Sequence, residues 1–222
     1  MSEKRTEITA SLERVLAPYW EQVDPLIASI QEDLHRRGKY PMQISREQVH
    51  FHSWLCRLIG ARRILEVGTY LGLSATAFAQ AIPAEGHVDT VEIDPEHAEI
   101  AEGWFAKGGL SDKITVHRGA ALEVVPGLSG PYDLCFLDCA KQDNVGLMRL
   151  CIERTRAGGV ILVDNAFRGG RLDADNEDPD DRGTVEALDF ARTSDQLDAA
   201  VLPIADGILA CRRLSEADSE FA

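Results

Sequence analysis

An alternation of short β-rich runs with helical segments constrains this chain more than any other feature of its sequence. Five such runs, RRILEVG, HVDTVEI, KITVHRG, YDLCFLD and GVILVDN, follow one another from Arg62 onward. The segments between them have helical periodicity and cover residues 74–82, 95–107, roughly 120–125 and 143–156. Because strands that alternate with helices form βαβ units, the sequence predicts a mostly parallel sheet with helices on both faces.

The two ends of the chain complete this architecture. Two closing runs, LDAAVLPI and GILACRR, follow a helix predicted over residues 183–193, and the turn-like ADG between them indicates an antiparallel edge hairpin. Apolar residues recur at spacings of three and four in the first 40 residues, which indicates helix. Typical helix starts are Asp24-Pro25 and the pair formed by Ser45 and Gln48.

The predicted fold class is therefore α/β. We expect a Rossmann-like, doubly wound, mostly parallel seven-stranded sheet with an antiparallel edge hairpin and an N-terminal helical extension. A chain of 222 residues is the size of one large domain. The expected organisation is a single domain over residues 1–222, made of the extension at 1–40 and a core at 41–213.

The charge balance disfavours several classes of partner. The chain carries 23 Lys and Arg against 37 Asp and Glu, a net charge of −14. Nucleic acids and anionic membrane surfaces need a basic protein face, so neither is expected as a partner. No apolar run approaches the roughly 18 residues of a membrane span, and no apolar segment follows the charged N-terminus as in a signal peptide. A cytoplasmic location is the resulting expectation.

Five cysteines are present, and they favour neither disulfides nor a zinc site. Their number is odd, no CxxC occurs, and most of them lie in apolar runs. Buried, reduced thiols are expected.

The turn after the first strand bears on the kind of ligand. In open α/β sheets, ligands bind outside the carboxyl ends of the strands. Here EVGTYLGLS places Gly68 and Gly72 at GxxxG spacing, whereas pyrophosphate-binding turns have GxGxxG. An NAD-dependent enzyme is therefore the weakest alternative. A ligand with an amino-acid-like end and a nucleoside end fits better, with Ser74 at the helix start for a carboxylate and Glu92 for both ribose hydroxyls.

A second group of polar residues follows two later strands. Asp138 ends one strand, and Asp164 and Asn165 end the next, so three oxygen-bearing side chains are expected to converge. Hard cations such as Mg²⁺ prefer oxygen ligands, and a water with both oxygens of a 1,2-diol on an aromatic ring would complete six positions. The alternative is that these residues are ordinary polar strand ends that cap a turn. From the residues alone, both interpretations stand.

Lys141 lies three residues after Asp138. A cation held nearby would disfavour its protonated form, and a neutral lysine can act as a general base on an acceptor hydroxyl. The alternative is a solvated loop lysine. The acidic stretch after residue 171 resembles an EF-hand only superficially, because Asp178 and Thr184 occupy the positions that require glycine and glutamate. A solvated flap near the cleft is expected there.

Taken together, these segments resemble the cation-dependent O-methyltransferases, the caffeoyl-CoA and catechol O-methyltransferase-like family. The resemblance runs from about Pro41 to Arg213 and includes MQISREQVHF, RRILEVGTYLGLS, VEID, YDLCFLDCAK, AGGVILVDN and LPIADGILACRR. It implies that S-adenosylmethionine (SAM) is the methyl donor and that the core is catalytic. It also implies a homodimer.

The resemblance assigns roles to individual residues. It implies that SAM is held by Ile44, Glu66, Gly68, Thr69, Ser74, Glu92, Ala121 and Asp138. It implies a divalent cation, Mg²⁺ before Mn²⁺ or Ca²⁺, held by Asp138, Asp164 and Asn165. Lys141 matches the position of the general base, and its proton would come from a hydroxyl of a small catechol-like substrate.

The departures from the family pattern lie where the acceptor is expected to bind. Ala140 stands where many relatives have a second aspartate, and Phe167-Arg168 replaces an aliphatic-tryptophan pair. Aromatic walls for the acceptor are expected from Phe167, Tyr40 or Trp54. Arg168 either recognises an acidic substituent or faces solvent.

Two alternatives to this function stay open at the level of sequence. The first is a methyltransferase that acts on RNA or protein, which the −14 charge and the lack of an Asn/Asp-Pro-Pro-aromatic motif disfavour. The second is a non-catalytic SAM-binding module, which would bind SAM without any dependence on a metal.

Overall fold

The computed structural model describes residues 8–20, 24–38, 42–172, 177–215 and 217–218. Within these ranges the chain forms eight α-helices and seven β-strands, which are numbered in chain order. The helices are α1 (Ala10–Leu16), α2 (Pro25–Arg36), α3 (Arg46–Leu58), α4 (Leu73–Ala81), α5 (Pro95–Lys107), α6 (Ala121–Val124), α7 (Asn144–Arg154) and α8 (Pro179–Thr193). The strands are β1 (Arg63–Val67), β2 (His87–Glu92), β3 (Ile114–Arg118), β4 (Tyr132–Leu137), β5 (Thr155–Asp164), β6 (Leu197–Leu202) and β7 (Ile208–Arg213).

All seven strands form one sheet in the order β3-β2-β1-β4-β5-β7-β6. The first five strands of this order are parallel, and β7 runs antiparallel to both β5 and β6. The predicted fold class is confirmed. Chain order reverses between β1 and β4, so the carboxyl ends of these two strands flank the crevice in which such folds bind ligands.

The sheet is buried on both faces because its inner strands are continuously apolar. On one face, alternate residues such as Ile64, Leu134 and Phe136 pack against α2, α3, α4 and α5. On the other face, their neighbours Leu65 and Cys135 pack against α7 and α8. This two-sided burial is characteristic of parallel sheets, whose crossover helices cover both faces.

The predicted helix starts at Pro25 and Arg46 are both found. Asp24 accepts a hydrogen bond from the backbone of Leu26, and Pro25 is the first helical residue. Ser45 and Gln48 form a complete capping box, in which each side chain accepts a backbone N–H of the other residue. Helix α3 therefore begins where the sequence predicts, and its first turn projects Gln48 towards the sheet.

The two helix boundaries that differ most from the prediction are the start of α8 and the end of α7. Helix α8 begins at Pro179 rather than at 183, because Asp178 caps it and Pro179 occupies the first turn. Strand β5 begins directly after α7, at Thr155, so the predicted helix over 143–156 is two residues too long at this end.

Four of the five cysteines are buried, Cys139 is half-buried, and all five are free thiols, as predicted. None of the described helices is long and apolar enough to span a membrane.

Candidate active site

A pocket of about 610 Å³ lies at the carboxyl ends of β1, β2, β4 and β5. Its volume suits a small-molecule ligand. The predicted site residues that line it are Gly68, Glu92, Ala121, Asp138, Lys141, Asp164 and Asn165. Four other predicted residues, Ile44, Glu66, Thr69 and Ser74, are buried and do not line it. The pocket therefore joins the two groups of residues that the sequence places at separate strand ends.

Gly68 brings the turn after β1 against the end of β4. Its φ is +98°, and a Cβ atom at this position would lie 2.0 Å from the carbonyl oxygen of Asp138. Only glycine permits both this backbone conformation and this approach. Gly72, at φ +87°, is the N-cap of α4, and a Cβ there would collide with the ring of Phe105. The GxxxG spacing thus reflects two separate close approaches.

Glu66 lies directly behind the pocket wall and is fully buried. Thr90 Oγ1 donates a hydrogen bond to its Oε2 atom at 2.5 Å, and Oε1 has no partner among the described residues. Burial raises the pKa of Glu66 to about 8, although the nearby hydroxyls of Ser74 and Thr90 oppose the shift. A buried carboxylate with an unsatisfied oxygen is stabilised by a cationic ligand group. Thr69, whose hydroxyl is 2.6 Å from that of Thr90, extends this network.

Glu92 at the end of β2 connects the first two turns of the pocket. Its Oε2 accepts the backbone N–H of Tyr70 at 2.7 Å, and its Oε1 accepts that of Asp94 at 2.9 Å. Each carboxylate oxygen retains a further lone pair. The side chain is therefore fixed in place and can still accept hydrogen bonds from a diol.

Several pocket residues were not predicted from the sequence. Ile93 and Leu122 are apolar yet 72% and 42% exposed, and they lie at the rim beside Glu92 and Ala121. Tyr70 and His97 form an edge-to-face aromatic pair, with ring centroids 4.8 Å apart, on the same side of the pocket. The sequence signal for Ile93 was its place beside Glu92 in VEID; nothing local marks His97.

Lys141 is not a solvated loop lysine, because only 5% of the residue is exposed. Its Nζ atom lies 2.9 Å from Asp138 Oδ1. The backbone N–H of Asp138 donates to Val67 O at 2.9 Å, which fixes the ion pair to the end of β1. A buried amine beside a carboxylate, at the edge of a pocket, is an arrangement typical of acid–base chemistry.

Asp164 is 3% exposed and lies next to Asn165 at the end of β5. Gln48 Nε2 donates a hydrogen bond to Asp164 Oδ1 at 2.6 Å, a contact that the sequence analysis missed. Burial, followed by the negative charge of Asp138, raises the pKa of Asp164 to about 7. Asn165 has a left-handed backbone conformation with φ +60°, which asparagine tolerates better than most residues.

The donor set at this side of the pocket fits a hard divalent cation. It consists of two carboxylates and one amide, all oxygen donors. Asp164 is hydrogen-bonded to the neutral amide of Gln48 and lies near the negative charge of Asp138. Added positive charge would therefore reduce the repulsion between the two carboxylates. Among the described residues, no group of three or more His, Cys, Asp or Glu could hold a metal ion. The third predicted ligand, Asn165, is an asparagine and so does not belong to these four residue types.

The predicted aromatic walls are not found among the residues that the structure describes. Trp54 is 48% exposed on α3 and does not line the pocket, and Tyr40 lies outside the described residues. Phe167 packs on Gly207 instead, where a Cβ atom would lie 2.7 Å from its ring. The prediction was wrong for Phe167 and Trp54, because the turn after Asn165 directs Phe167 towards β7. The acidic stretch that was expected to form a solvated flap is described only in part, because residues 173–176 lie outside the described ranges.

Arg168 does line the pocket, and the solvent-facing alternative is wrong. Its Nε donates to Asp181 Oδ1 at 2.8 Å, and its Nη2 lies 3.5 Å from Asp180 Oδ2. Only 17% of its side chain is exposed.

Comparison with known proteins assigns the chain to a family. Residues 21–214 match the sequence profile of the O-methyltransferase family. A catechol O-methyltransferase of Mycobacterium tuberculosis is 37% identical over 160 residues, which cover 72% of this chain and 73% of that protein. Caffeoyl-CoA O-methyltransferase 1 of Eucalyptus globulus is 31% identical over 193 residues, covering 80% and 78%. The O-methyltransferase TomG of Streptomyces achromogenes, solved in complex with SAM, aligns with a TM-score of 0.85 at 25% identity and covers 92% and 96%.

The chain belongs to the O-methyltransferase family. It is an enzyme of the SAM-dependent class, as the sequence motifs predicted. The residues present fit SAM: Gly68 leaves room at the turn, Glu66 has an unsatisfied buried oxygen, and Glu92 can accept a diol.

Proposed function

We propose that this enzyme transfers the methyl group of SAM to one hydroxyl of a catechol-like small molecule, with a divalent cation bound at the acceptor side. The observation that carries the proposal is the convergence of Asp138, Lys141 and Asp164 in the pocket that also contains Gly68 and Glu92. The names of the relatives, catechol and caffeoyl-CoA O-methyltransferase, support the same acceptor class.

The residues proposed to hold SAM form two layers. Gly68, Glu92, Ala121 and Asp138 line the pocket, and Ile44, Glu66, Thr69 and Ser74 support it from behind. Glu66 lies behind this lining, and its buried oxygen without a partner among the described residues would favour the cationic amino end of a bound donor. Glu92 accepts the ribose hydroxyls while two backbone N–H groups fix its side chain. These residues would hold SAM, which supplies the methyl group, in the same pocket that Asp138 lines.

Asp138, Asp164 and Asn165 are the proposed ligands of the cation, Mg²⁺ before Mn²⁺ or Ca²⁺. When bound, a divalent cation supplies positive charge that favours ionisation of an acceptor hydroxyl. Gln48 keeps Asp164 oriented through its 2.6 Å hydrogen bond. The ligands are thus held by α3 and by the ends of β4 and β5, which are rigid elements.

Lys141 Nζ is the proposed acceptor of the hydroxyl proton. As that proton moves to Nζ, the acceptor oxygen forms a bond to the methyl carbon and the bond from this carbon to sulfur breaks. The products are a methyl ether, S-adenosylhomocysteine and a proton that Lys141 returns to solvent. Much of the rate is attributed to positioning, because one pocket would hold both reactants.

The experiment that tests the proposal is methyl transfer from SAM to a small panel of catechols, read by mass. Parallel reactions contain Mg²⁺, then EDTA, then EDTA followed by excess Mg²⁺. We expect a gain of one methyl group that EDTA abolishes and added Mg²⁺ restores. Phenol and anisole, which lack the vicinal diol, serve as control acceptors and should gain no methyl group.

Three results would contradict the proposal in different ways. Transfer that survives EDTA would remove the cation and its three ligands from the mechanism. Binding of SAM without transfer to any catechol would mean a different acceptor class. An unreactive enzyme that also fails to bind SAM would contradict the roles given to Glu66 and Glu92.

We also propose that the enzyme is a homodimer. The support is a set of exposed apolar side chains near the N-terminus, Val15, Tyr19, Trp54 and Leu58, each at least 48% exposed. Light scattering of the wild type should give twice the chain mass, and Trp54→Glu with Leu58→Glu should give the mass of one chain. The cytoplasmic location and the division at residue 40 stay predictions.

A further inference from the structure

The side of the pocket next to Asn165 is formed by a strained arginine. Arg168 has φ +49°, a left-handed backbone conformation that costs a non-glycine residue about 1 kcal/mol or more. Its backbone N–H donates to Asn165 O at 3.2 Å, so the strain lies within one turn of a proposed cation ligand. Strain of this kind persists only where neighbouring groups hold it in place.

Two aspartates of α8 hold Arg168 in this position. Asp181 accepts from Arg168 Nε at 2.8 Å, and its side chain is only 2% exposed. Asp180 is 3.5 Å from Arg168 Nη2 and also accepts the backbone N–H of Lys141 at 3.1 Å. Neither aspartate lines the pocket. They act on it only through the arginine and the lysine loop.

Close packing fixes α8 against the same loop. A Cβ atom at Gly183 would lie 2.3 Å from the carbonyl oxygen of Lys141, so no larger residue permits this approach. The first two turns of α8 therefore hold the backbone of the proposed base and the side chain of Arg168 together. Displacing Asp181 would move the pocket wall without touching the ligands of SAM.

The guanidinium still has donors to offer. Its Nη1 atom has no hydrogen-bond partner among the described residues, although the side chain lines the pocket. Its charge, however, is already balanced by Asp180 and Asp181, and Asp143 adds a further carboxylate to the pocket lining. A carboxylate on the acceptor would meet these like charges, whereas an uncharged oxygen would accept the N–H without that cost.

We propose that Arg168 is a specificity-determining residue that binds an uncharged oxygen substituent, such as a carbonyl, on the acceptor ring, and that Asp181 is its positioning residue. This inference rests on the proposed catechol function. It replaces the expectation that Arg168 recognises an acidic substituent.

The test compares three acceptors: catechol, 3,4-dihydroxybenzaldehyde and 3,4-dihydroxybenzoate. We expect wild-type kcat/KM to be about tenfold higher for the aldehyde than for catechol, and the benzoate to have no such advantage. Arg168→Gln and Asp181→Asn should reduce the aldehyde-to-catechol ratio at least fivefold. The KM for SAM should change less than twofold in both variants.

Arg171→Gln is the matched control. Arg171 also faces Asp181, at 3.8 Å, but its side chain is 62% exposed and does not line the pocket. Its removal should leave the acceptor ratio within twofold of wild type. Should Arg168→Gln fail to fold because the buried Asp181 loses its 2.8 Å contact with Arg168, the double change Arg168→Met with Asp181→Asn removes both charges together.

The outcomes separate this inference from the proposed function. An unchanged ratio in the Arg168 and Asp181 variants, or a wild-type preference for the benzoate, would overturn the inference. The same ratios are measured as dissociation constants by calorimetry, with S-adenosylhomocysteine and Mg²⁺ present, and this needs no turnover. A wild type that binds these acceptors but methylates none would count against the proposed function, while the binding ratios would still decide the role of Arg168.

Discussion

Acidic side chains at the two ends of the sheet differ in the direction in which their pKa is shifted. At the amino end of β4, Asp133 accepts hydrogen bonds from the backbone N–H groups of Arg62 and Arg63, at 2.7 and 2.8 Å, and from Arg156 Nε at 2.6 Å. Burial alone would raise the pKa of Asp133, but these hydrogen bonds outweigh it and the pKa is lowered. At the carboxyl ends, the pKa of Asp164 is raised to about 7 and that of Glu66 to about 8.

This difference separates acidic residues that stabilise the fold from those that serve the site. Asp133 is surrounded by donors, so its charge contributes to stability. Glu66 and Asp164 are buried with too few donors, which reduces stability until positive charge arrives. Unsatisfied groups of this kind are common at functional sites, because a fully satisfied group has nothing left to offer a ligand.

The largest expected effect concerns Lys141. Replacing the proposed base, Lys141→Met, should lower kcat about 10²- to 10⁴-fold. SAM affinity should stay within about twofold, because Lys141 lies on the acceptor side. Lys113→Met, which changes a lysine that contacts the carbonyl of Ile82 away from the pocket, is the control and should keep wild-type kcat. Single-turnover rates and SAM titrations measure both effects; an intact kcat in Lys141→Met would refute the base.

Glu66→Gln should weaken SAM binding about 10- to 100-fold, which is the loss expected when a hydrogen bond to a charged group is removed.

The same change should remove a pH dependence of the free energy of unfolding. The folded pKa of about 8 exceeds the ordinary 4.5 of glutamate. Between these values the folded state keeps a proton that the unfolded state releases, so wild-type stability falls as pH rises.

Urea unfolding at pH 5 and pH 8.5 measures that dependence. We expect the unfolding free energy of Glu66→Gln, relative to wild type, to be greater at pH 8.5 than at pH 5. An equal difference at both pH values would mean that Glu66 ionises normally in the folded protein. Tight SAM binding by the variant would exclude the carboxylate from the cofactor site.

Asp133→Asn tests the other end of the sheet. Its amide nitrogen would face donors that now meet a carboxylate oxygen, so we expect a loss of about 1–3 kcal/mol in the free energy of unfolding. The KM for SAM and kcat per folded molecule should not change. Because the folded pKa is lowered, the contribution of Asp133 is present at neutral pH and lost on acidification below its ordinary value of 3.8. A changed KM for SAM would mean that Asp133 also affects the site, so that the two ends of the sheet do not have separate roles.

Local patterns predicted the elements and the strand-end residues, but not the contacts between distant segments. Asp138 and Asp164 could be predicted because parallel strands place their carboxyl ends side by side. The contact of Gln48 with Asp164 could not be predicted, because the two residues are 116 positions apart in the chain. The capping box was also a sufficient reason for a glutamine at position 48. The start of α8 at Pro179 had a sequence signal, the same Asp-Pro pair as Asp24-Pro25, which the acidic surroundings obscured.

His52 is a buried group without hydrogen-bond partners among the described residues, but it lies away from the pocket. It is fully buried on α3, its ring lies 5.5 Å from that of Phe78 and 4.6 Å from that of Phe136, and neither ring nitrogen has a partner among the described residues. Burial lowers its pKa from 6.5 to about 3. His52 lies in the apolar core and does not line the pocket, so we assign it no role in catalysis.

His52→Phe should therefore stabilise the enzyme by about 1 kcal/mol without changing kcat or KM. As pH falls from 6.5 towards 3, the unfolded wild type binds a proton that the folded state excludes, so wild-type stability declines over this window. The variant has no such group, and its advantage in the free energy of unfolding should grow on acidification. Denaturation at pH 7 and pH 5 measures this growth. If His52→Phe instead lowers kcat, an unsatisfied buried group in the core also serves the site, and the contrast between the two ends of the sheet is incomplete.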